Sequence, residues 1–146
     1  MTSSRFLRIL LIALRVVLGA IFIYAAWLKL RDPWQLFAMS IDAYRILPLT
    51  AVEWTARVIP WAELAVGLLL ITGLWLRVSS SLVSLLLLTF FVLMVRAYAK
   101  GMAIDCGCFG PGEAISWKTL LRDGTLLAAA LLVTTMAFLN RPKTAA

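Results

Sequence analysis

Residues 78–95 read Val-Ser-Ser-Ser-Leu-Val-Ser-Leu-Leu-Leu-Leu-Thr-Phe-Phe-Val-Leu-Met-Val, a run with no charged side chain. As a helix this stretch is about 27 Å long at 1.5 Å per residue, close to the roughly 30 Å of a bilayer's hydrocarbon core. A helix also satisfies its own backbone hydrogen bonds there, which an irregular chain does not. Three further runs share this character. Ile9–Leu28 is interrupted only by Arg15, Val58–Leu76 contains Pro60 and Glu63, and Thr119–Leu139 opens with Arg122 and Asp123 in its first turns. With their flanks the four predicted spans cover about residues 9–28, 54–76, 78–99 and 119–139. The fold class is therefore all-α, a polytopic membrane four-helix bundle in which residues 1–146 form a single domain.

Composition agrees. The 146 residues are 63% hydrophobic and 14% charged, with a mean hydropathy of +0.97. Soluble domains carry roughly 25% charged residues, so this apolar excess calls for lipid as solvent. The net charge is +7. The basic residues flank apolar runs, as they do where membrane proteins meet anionic headgroups, which argues against nucleic acid as a partner. Histidine is absent, which removes the commonest metal ligand and the usual near-neutral general base.

Arg5 and Arg8 ahead of an apolar run suggest a secretory leader. The run is too long, carries Arg15 and lacks a small-residue cleavage site, so it is read as a retained span. Between the first two spans, Asp32-Pro33 suggests a cap followed by proline at the first helical position. Trp34, Phe37, Ile41 and Tyr44 then recur at helical spacing, predicting an amphipathic interfacial helix over about 33–47 that Pro48 ends. Residues 49–59 lead into the second span, with a kink near Pro60. A tight turn around Trp75-Leu76-Arg77 joins the second and third helices. Lys100-Gly101 reads as a helix stop, and Ser116 reads as the cap of the fourth span. Trp27, Trp34, Trp54, Trp61, Trp75 and Trp117 fall near predicted helix ends, as interfacial anchors do.

The loop over 101–116 holds the two cysteines of the chain, Cys106 and Cys108, within Asp105-Cys106-Gly107-Cys108-Phe109-Gly110. Residues two apart have α-carbons about 5.5–7 Å apart, overlapping the disulfide window, and Gly107 widens the accessible backbone angles. A staple over a one-residue gap constrains little, because disulfide stabilisation grows with loop length. The pair is thus a candidate redox site, Cys106 and Cys108 carrying the chemistry, against the alternatives of idle thiols or soft-metal ligands. Zinc needs four ligands, and two thiols with Asp105 fall short within one chain. Copper(I) needs fewer. Arg96, Lys100, Arg122 and Asp123 flank the loop. Cations there favour thiolate, although snorkelling at headgroups explains them equally. Arg15 and Glu63 are charges inside predicted spans, where charge is expensive and faces a partner or a cavity. Antiparallel packing suggests that they meet, either as an orienting ion pair or as a polar pocket for a quinone headgroup or a proton.

Lys29-Leu30-Arg31-Asp32-Pro33, Tyr44-Arg45-Ile46-Leu47-Pro48, Pro60-Trp61-Ala62-Glu63-Leu64 and, most specifically, Asp105-Cys106-Gly107-Cys108-Phe109-Gly110 resemble the MauE family within the DoxX-like superfamily of four-helix membrane proteins. The resemblance covers nearly the whole chain. It implies an integral membrane component of extracytoplasmic thiol–disulfide exchange, with Cys106 and Cys108 as the redox pair and Arg15, Glu63, Arg96 and Arg122 as a supporting, candidate cofactor-binding pocket. The implied partner is a thioredoxin-like or disulfide-bearing secreted protein, in maturation of disulfide-rich proteins such as methylamine dehydrogenase. No cofactor motif is present; a membrane quinone is the one cofactor the reading suggests, and no metal is assigned. The alternative is a non-enzymatic membrane scaffold or assembly chaperone. A solute carrier has less support, because a single buried ion pair gives little sign of a pathway. Four spans place both termini on one side. Basic residues number five on that side and eight on the cysteine side, so counting alone would put the termini outside. The resemblance implies the reverse: a bacterial inner-membrane protein with cytoplasmic termini and an extracytoplasmic cysteine loop.

Overall fold

The computed structural model describes residues 2–102, 104–107 and 110–139, with the side chains of 2–4, 105–107 and 110–113 left aside. Five helices follow one another: α1 (Thr2–Arg31), α2 (Trp34–Ala43), α3 (Leu49–Thr72), α4 (Leu76–Ala99) and α5 (Trp117–Leu139), with a two-stranded antiparallel ribbon, β1 (Asp105–Gly107) and β2 (Gly110–Ala114), between α4 and α5. Four of the helices are long and apolar enough to cross a membrane. The chain is a multi-pass membrane protein of all-α class, and the ribbon is a local departure inside the predicted loop.

Helices α1 and α3 cross where two glycines face each other. A β-carbon on Gly19 would lie 2.7 Å from the Gly67 carbonyl oxygen, and one on Gly67 would lie 2.8 Å from the Gly19 carbonyl oxygen. Lipid chains are as apolar as leucine, so helices in a bilayer associate through close packing of small residues and polar contacts. Gly19 and Gly67 supply the first. Hydroxyls supply the second between α4 and α5: Ser84 and Thr134 meet at 2.8 Å, and Thr134 Oγ1 donates to the Ser80 carbonyl at 3.0 Å. Leu18, Phe22, Val66, Leu70, Val83, Leu87, Leu127 and Val133 close the central core. The outward faces carry Ile9, Leu68, Leu85 and Leu139, all more than half exposed, as a lipid-facing surface requires.

The helix starts and stops correct the sequence reading in three places. Asp32 does not cap α2. Pro33 occupies the position before the helix, with no side-chain cap bond, and Asp32 turns to Arg31 at 3.8 Å. Helix α2 stops at Ala43 instead of running to 47, because Arg45 takes a left-handed backbone, φ 55°. Helix α3 begins at Leu49, five residues before the expected 54, and continues through Pro60. Extended Pro48 launches it directly, so no separate lead-in segment exists.

Other expectations hold. Phe37 and Tyr44 are buried and Asp42 is exposed, so α2 has the predicted amphipathic face, and it lays that face on α3. Arg57 of α3 stacks on Trp34 of α2 at 4.3 Å. Helix α4 ends with Lys100 and left-handed Gly101. At the start of α5, Ser116 and Thr119 cap reciprocally: the Ser116 N–H donates to Thr119 Oγ1 at 2.8 Å and the Thr119 N–H to Ser116 Oγ at 3.5 Å.

The glycine crossing is directly testable. We expect Gly67→Val to lower stability in detergent by about 3 kcal/mol, the upper range for overpacking, because its β-carbon meets backbone. Gly124→Ala, whose β-carbon would meet the Phe91 ring at an ordinary 3.4 Å, should leave thermal unfolding unchanged.

Candidate functional site

Cys106 is lifted out of the helical region into β1. The ribbon pairs Asp105 with Ala114 and Gly107 with Gly110, and between these pairs the register shifts. Two steps along β1 therefore match four along β2, so Cys106 lies opposite the irregular segment Pro111-Gly112-Glu113. Proline has no N–H to give to a ladder, which makes an irregularity there the expected outcome. Such bulges recur beside active sites, where they re-aim a strand. Cys108, the second member of the pair, lies outside the described residues.

The base of the ribbon is fixed from below. The Ile115 N–H donates to the Ile104 carbonyl at 3.0 Å. Ile104, Ile115, Met102 and Leu120 pack on a small second core of Tyr44, Met94 and Ala97. The strands themselves lie against α2 and the end of α1. Arg96, in the last turn of α4, donates to the Tyr44 carbonyl at 3.4 Å and so ties the end of α2 to the same platform.

Beneath the platform sit buried charges. Lys29 Nζ donates to both Glu63 carboxylate oxygens at 2.9 Å, with side-chain exposures of 0% and 6%. The Phe37 ring of α2 lies 5.1 Å from the same ammonium. On the opposite wall, Arg122 Nε donates to Asp123 Oδ1 at 3.0 Å, and the Asp123 side chain is 3% exposed. Glu63 and Asp123 both line a cavity of about 30 Å³ whose other walls are apolar, among them Phe22, Leu87 and Phe90. That volume admits an ordered water near two carboxylates, and it is far below what a quinone ring fills.

The expected Arg15–Glu63 contact is not formed. The α1–α3 register sets Lys29 against Glu63, Gly19 against Gly67 and Arg15 against Gly73. Arg15 and Glu63 are thus about 15 Å apart along the bundle at 1.5 Å per residue. Of the four supporting residues named from sequence, Glu63 lines the cavity, the partly exposed Arg122 pairs with the cavity-lining Asp123, Arg96 serves the ribbon platform, and Arg15 lies at the other end. The reading from sequence missed Lys29, which it placed among headgroup cations. Its proximity to Asp32-Pro33 marks it as the last turn of α1. Asp123 was noted beside Arg122 but not as a cavity wall. Among the described residues no cluster of three metal-binding side chains occurs.

The family described as methylamine utilisation protein MauE matches residues 7–136. This chain belongs to the MauE family. The match takes in both charge pairs and the ribbon. Similar MauE proteins include the methylamine utilization protein MauE of Paracoccus denitrificans, 34% identical over 126 residues that cover 84% of this chain and 67% of that protein. The MauE of Paracoccus versutus is 34% identical over 122 residues, covering 82% and 65%, and that of Methylorubrum extorquens is 32% identical over 113 residues, covering 73% and 58%. The alignments thus take in between 58% and 67% of these MauE relatives' lengths. No solved structure matches the chain.

Removing one partner of a buried ion pair strands the other, at a cost of about 3–5 kcal/mol, whereas replacing both with apolar groups is often neutral. Glu63→Leu alone should therefore destabilise the protein severely. Lys29→Met combined with Glu63→Leu should recover most of the loss, read as the apparent melting temperature of detergent-purified protein.

Proposed function

We propose that this MauE-family protein is a membrane component of extracytoplasmic thiol–disulfide exchange that works through Cys106 and Cys108 with a thioredoxin-like partner. The observation that carries the reading is the location of Cys106. One of two cysteines in the chain sits on a short ribbon with an irregular register, held above the bundle by α2, Arg96 and the Tyr44 core, and not inside a membrane helix. A thiol meant only to fill space has no need of such a platform.

The chemistry balances within the two proteins. The Cys106 thiolate attacks a disulfide of the partner, whose sulfur–sulfur bond breaks as the mixed disulfide forms, and the departing partner thiolate takes up a proton. The Cys108 thiolate then attacks the mixed disulfide at the Cys106 sulfur. A Cys106–Cys108 disulfide forms and the partner leaves as a dithiol, having gained two electrons and two protons. Run in reverse, the same steps oxidise the partner. The relatives are named for methylamine utilization, and we assign this chain to maturation of a disulfide-rich secreted protein in that context, with its termini in the cytoplasm.

The test is trapping. Cys108→Ser should accumulate a reductant-sensitive adduct through Cys106, which Cys106→Ser/Cys108→Ser abolishes. If neither single variant forms an adduct and the double variant supports full function in cells, the protein is an assembly scaffold. A membrane-impermeant maleimide should label the reduced thiols in intact cells; labelling only after lysis would reverse the orientation.

A further inference from the structure

Arg15 is the one charge of α1's apolar run that the ribbon-side machinery does not use. Its guanidinium packs against Gly73: a β-carbon there would meet Cζ and both terminal nitrogens at 3.3–3.4 Å. Gly73 ends α3 in a left-handed conformation, φ 79°, so the residue that permits the turn also leaves room for the arginine. Nε of Arg15 is buried without a hydrogen-bond partner among the described residues, and none of the ion pairs formed there includes Arg15. The α3 C-terminus offers it only a partial charge of about −0.5. No acidic side chain is at hand among the described residues: the first acidic residue of the sequence is Asp32, the last is Asp123, and the α3–α4 turn contains none. Arg77, in the first turn of α4, adds a second cation at this end, with its Nε on the Ala137 carbonyl at 3.2 Å and its guanidinium over Phe138.

The surroundings are apolar and exposed. Because Arg15 is level with the end of α3, the residues before Leu14 run on past the α3–α4 turn for about 15 Å. That overhang presents Phe6, Ile9 and Ile12 outward, and the turn below it presents Leu74 and Trp75, the latter 75% exposed. A guanidinium with no ion-pair partner among the described residues, set at the end of an apolar bundle two residues along the turn from an exposed tryptophan, matches one ligand chemistry: a phosphate that carries acyl chains.

We propose that this end of the bundle binds an anionic phospholipid, its phosphate on Arg15 with Arg77 as the supporting cation and its acyl chains running toward the bilayer centre along the exposed apolar face of α1 that carries Val16 and Val17. The preference is for a net negative headgroup, because no acid is present to receive the ammonium of a zwitterionic one. This site is independent of the thiol chemistry.

The experiment uses full-length protein in detergent with phosphatidylglycerol or phosphatidylcholine, and native mass spectrometry reads the retained lipid. Phosphatidylglycerol should be retained in preference to phosphatidylcholine. Arg15→Gln should weaken that retention about tenfold, as loss of a charge-assisted hydrogen bond does. Arg15→Lys should retain part of it, and Arg5→Gln/Arg8→Gln should leave it intact. Equal retention of the two lipids by the wild-type protein overturns the proposal, and that measurement needs no variant to fold. So does full retention by Arg15→Gln, or displacement of the lipid by millimolar inorganic phosphate alone, which would mark a soluble-anion site.

Discussion

The Lys29–Glu63 ion pair is the buried charge contact around which the ribbon end of the bundle is arranged. Burying two charges inside a bundle is costly, and the cost is recovered only when geometry supplies both charges with partners. Here the ammonium lies between the two carboxylate oxygens and faces the Phe37 ring. The pair can form because α1 and α3 approach to backbone contact at Gly19 and Gly67. Once it forms, the register of these helices is fixed along its length. The end of α1 is then set well short of the start of α3, and α2 fills the corner left above it. The platform under the ribbon rests on that corner. A ribbon that carries Cys106 thus depends on a charge pair whose lysine sits in the last turn of α1.

Much of this was legible in the sequence, for a physical reason. In lipid, helices are the default, so apolar length alone locates the spans, and Val78–Val95 and Thr119–Leu139 are read almost to the residue. The stops at Lys100-Gly101 and the cap at Ser116 were also legible, because they use local chemistry. The start of α3 was not, since Leu49–Ile59 mixes Glu53 and Arg57 with apolar positions and owes its burial to α2, a contact that no local pattern reports. The partner of Glu63 was hidden for the same reason. A register between two helices is a long-range quantity, and antiparallel packing alone does not say whether Arg15 or Lys29 faces Glu63. The ribbon was hidden by its composition, since glycine and proline argue for a loop.

The two ends of the bundle divide the chemistry. The ribbon end holds every acid of the chain, the buried charge pairs and Cys106. The other end holds arginines, an exposed tryptophan and no acid. Such a division suits a protein whose reactive face meets soluble partners on one side and whose opposite face is addressed by lipid. It also places the two proposed sites far enough apart that each can be altered without touching the other.

The hydroxyl contact between Ser84 and Thr134 has a reach beyond its own strength. The ribbon stands on two feet, the end of α4 and the start of α5, which the Ile104–Ile115 bond and the packing of Ile115 and Leu120 on Met94 and Ala97 draw together. What keeps them level is the meshing of α4 with α5 lower down, where the Thr134 hydroxyl reaches the Ser80 carbonyl. A slip of one turn there, about 5.4 Å, would shear the feet past each other by the same distance. The strand pairing would part, and Cys106 would be carried away from its seat. The support beneath Cys106 is therefore metered by two small hydroxyls in the α4–α5 seam.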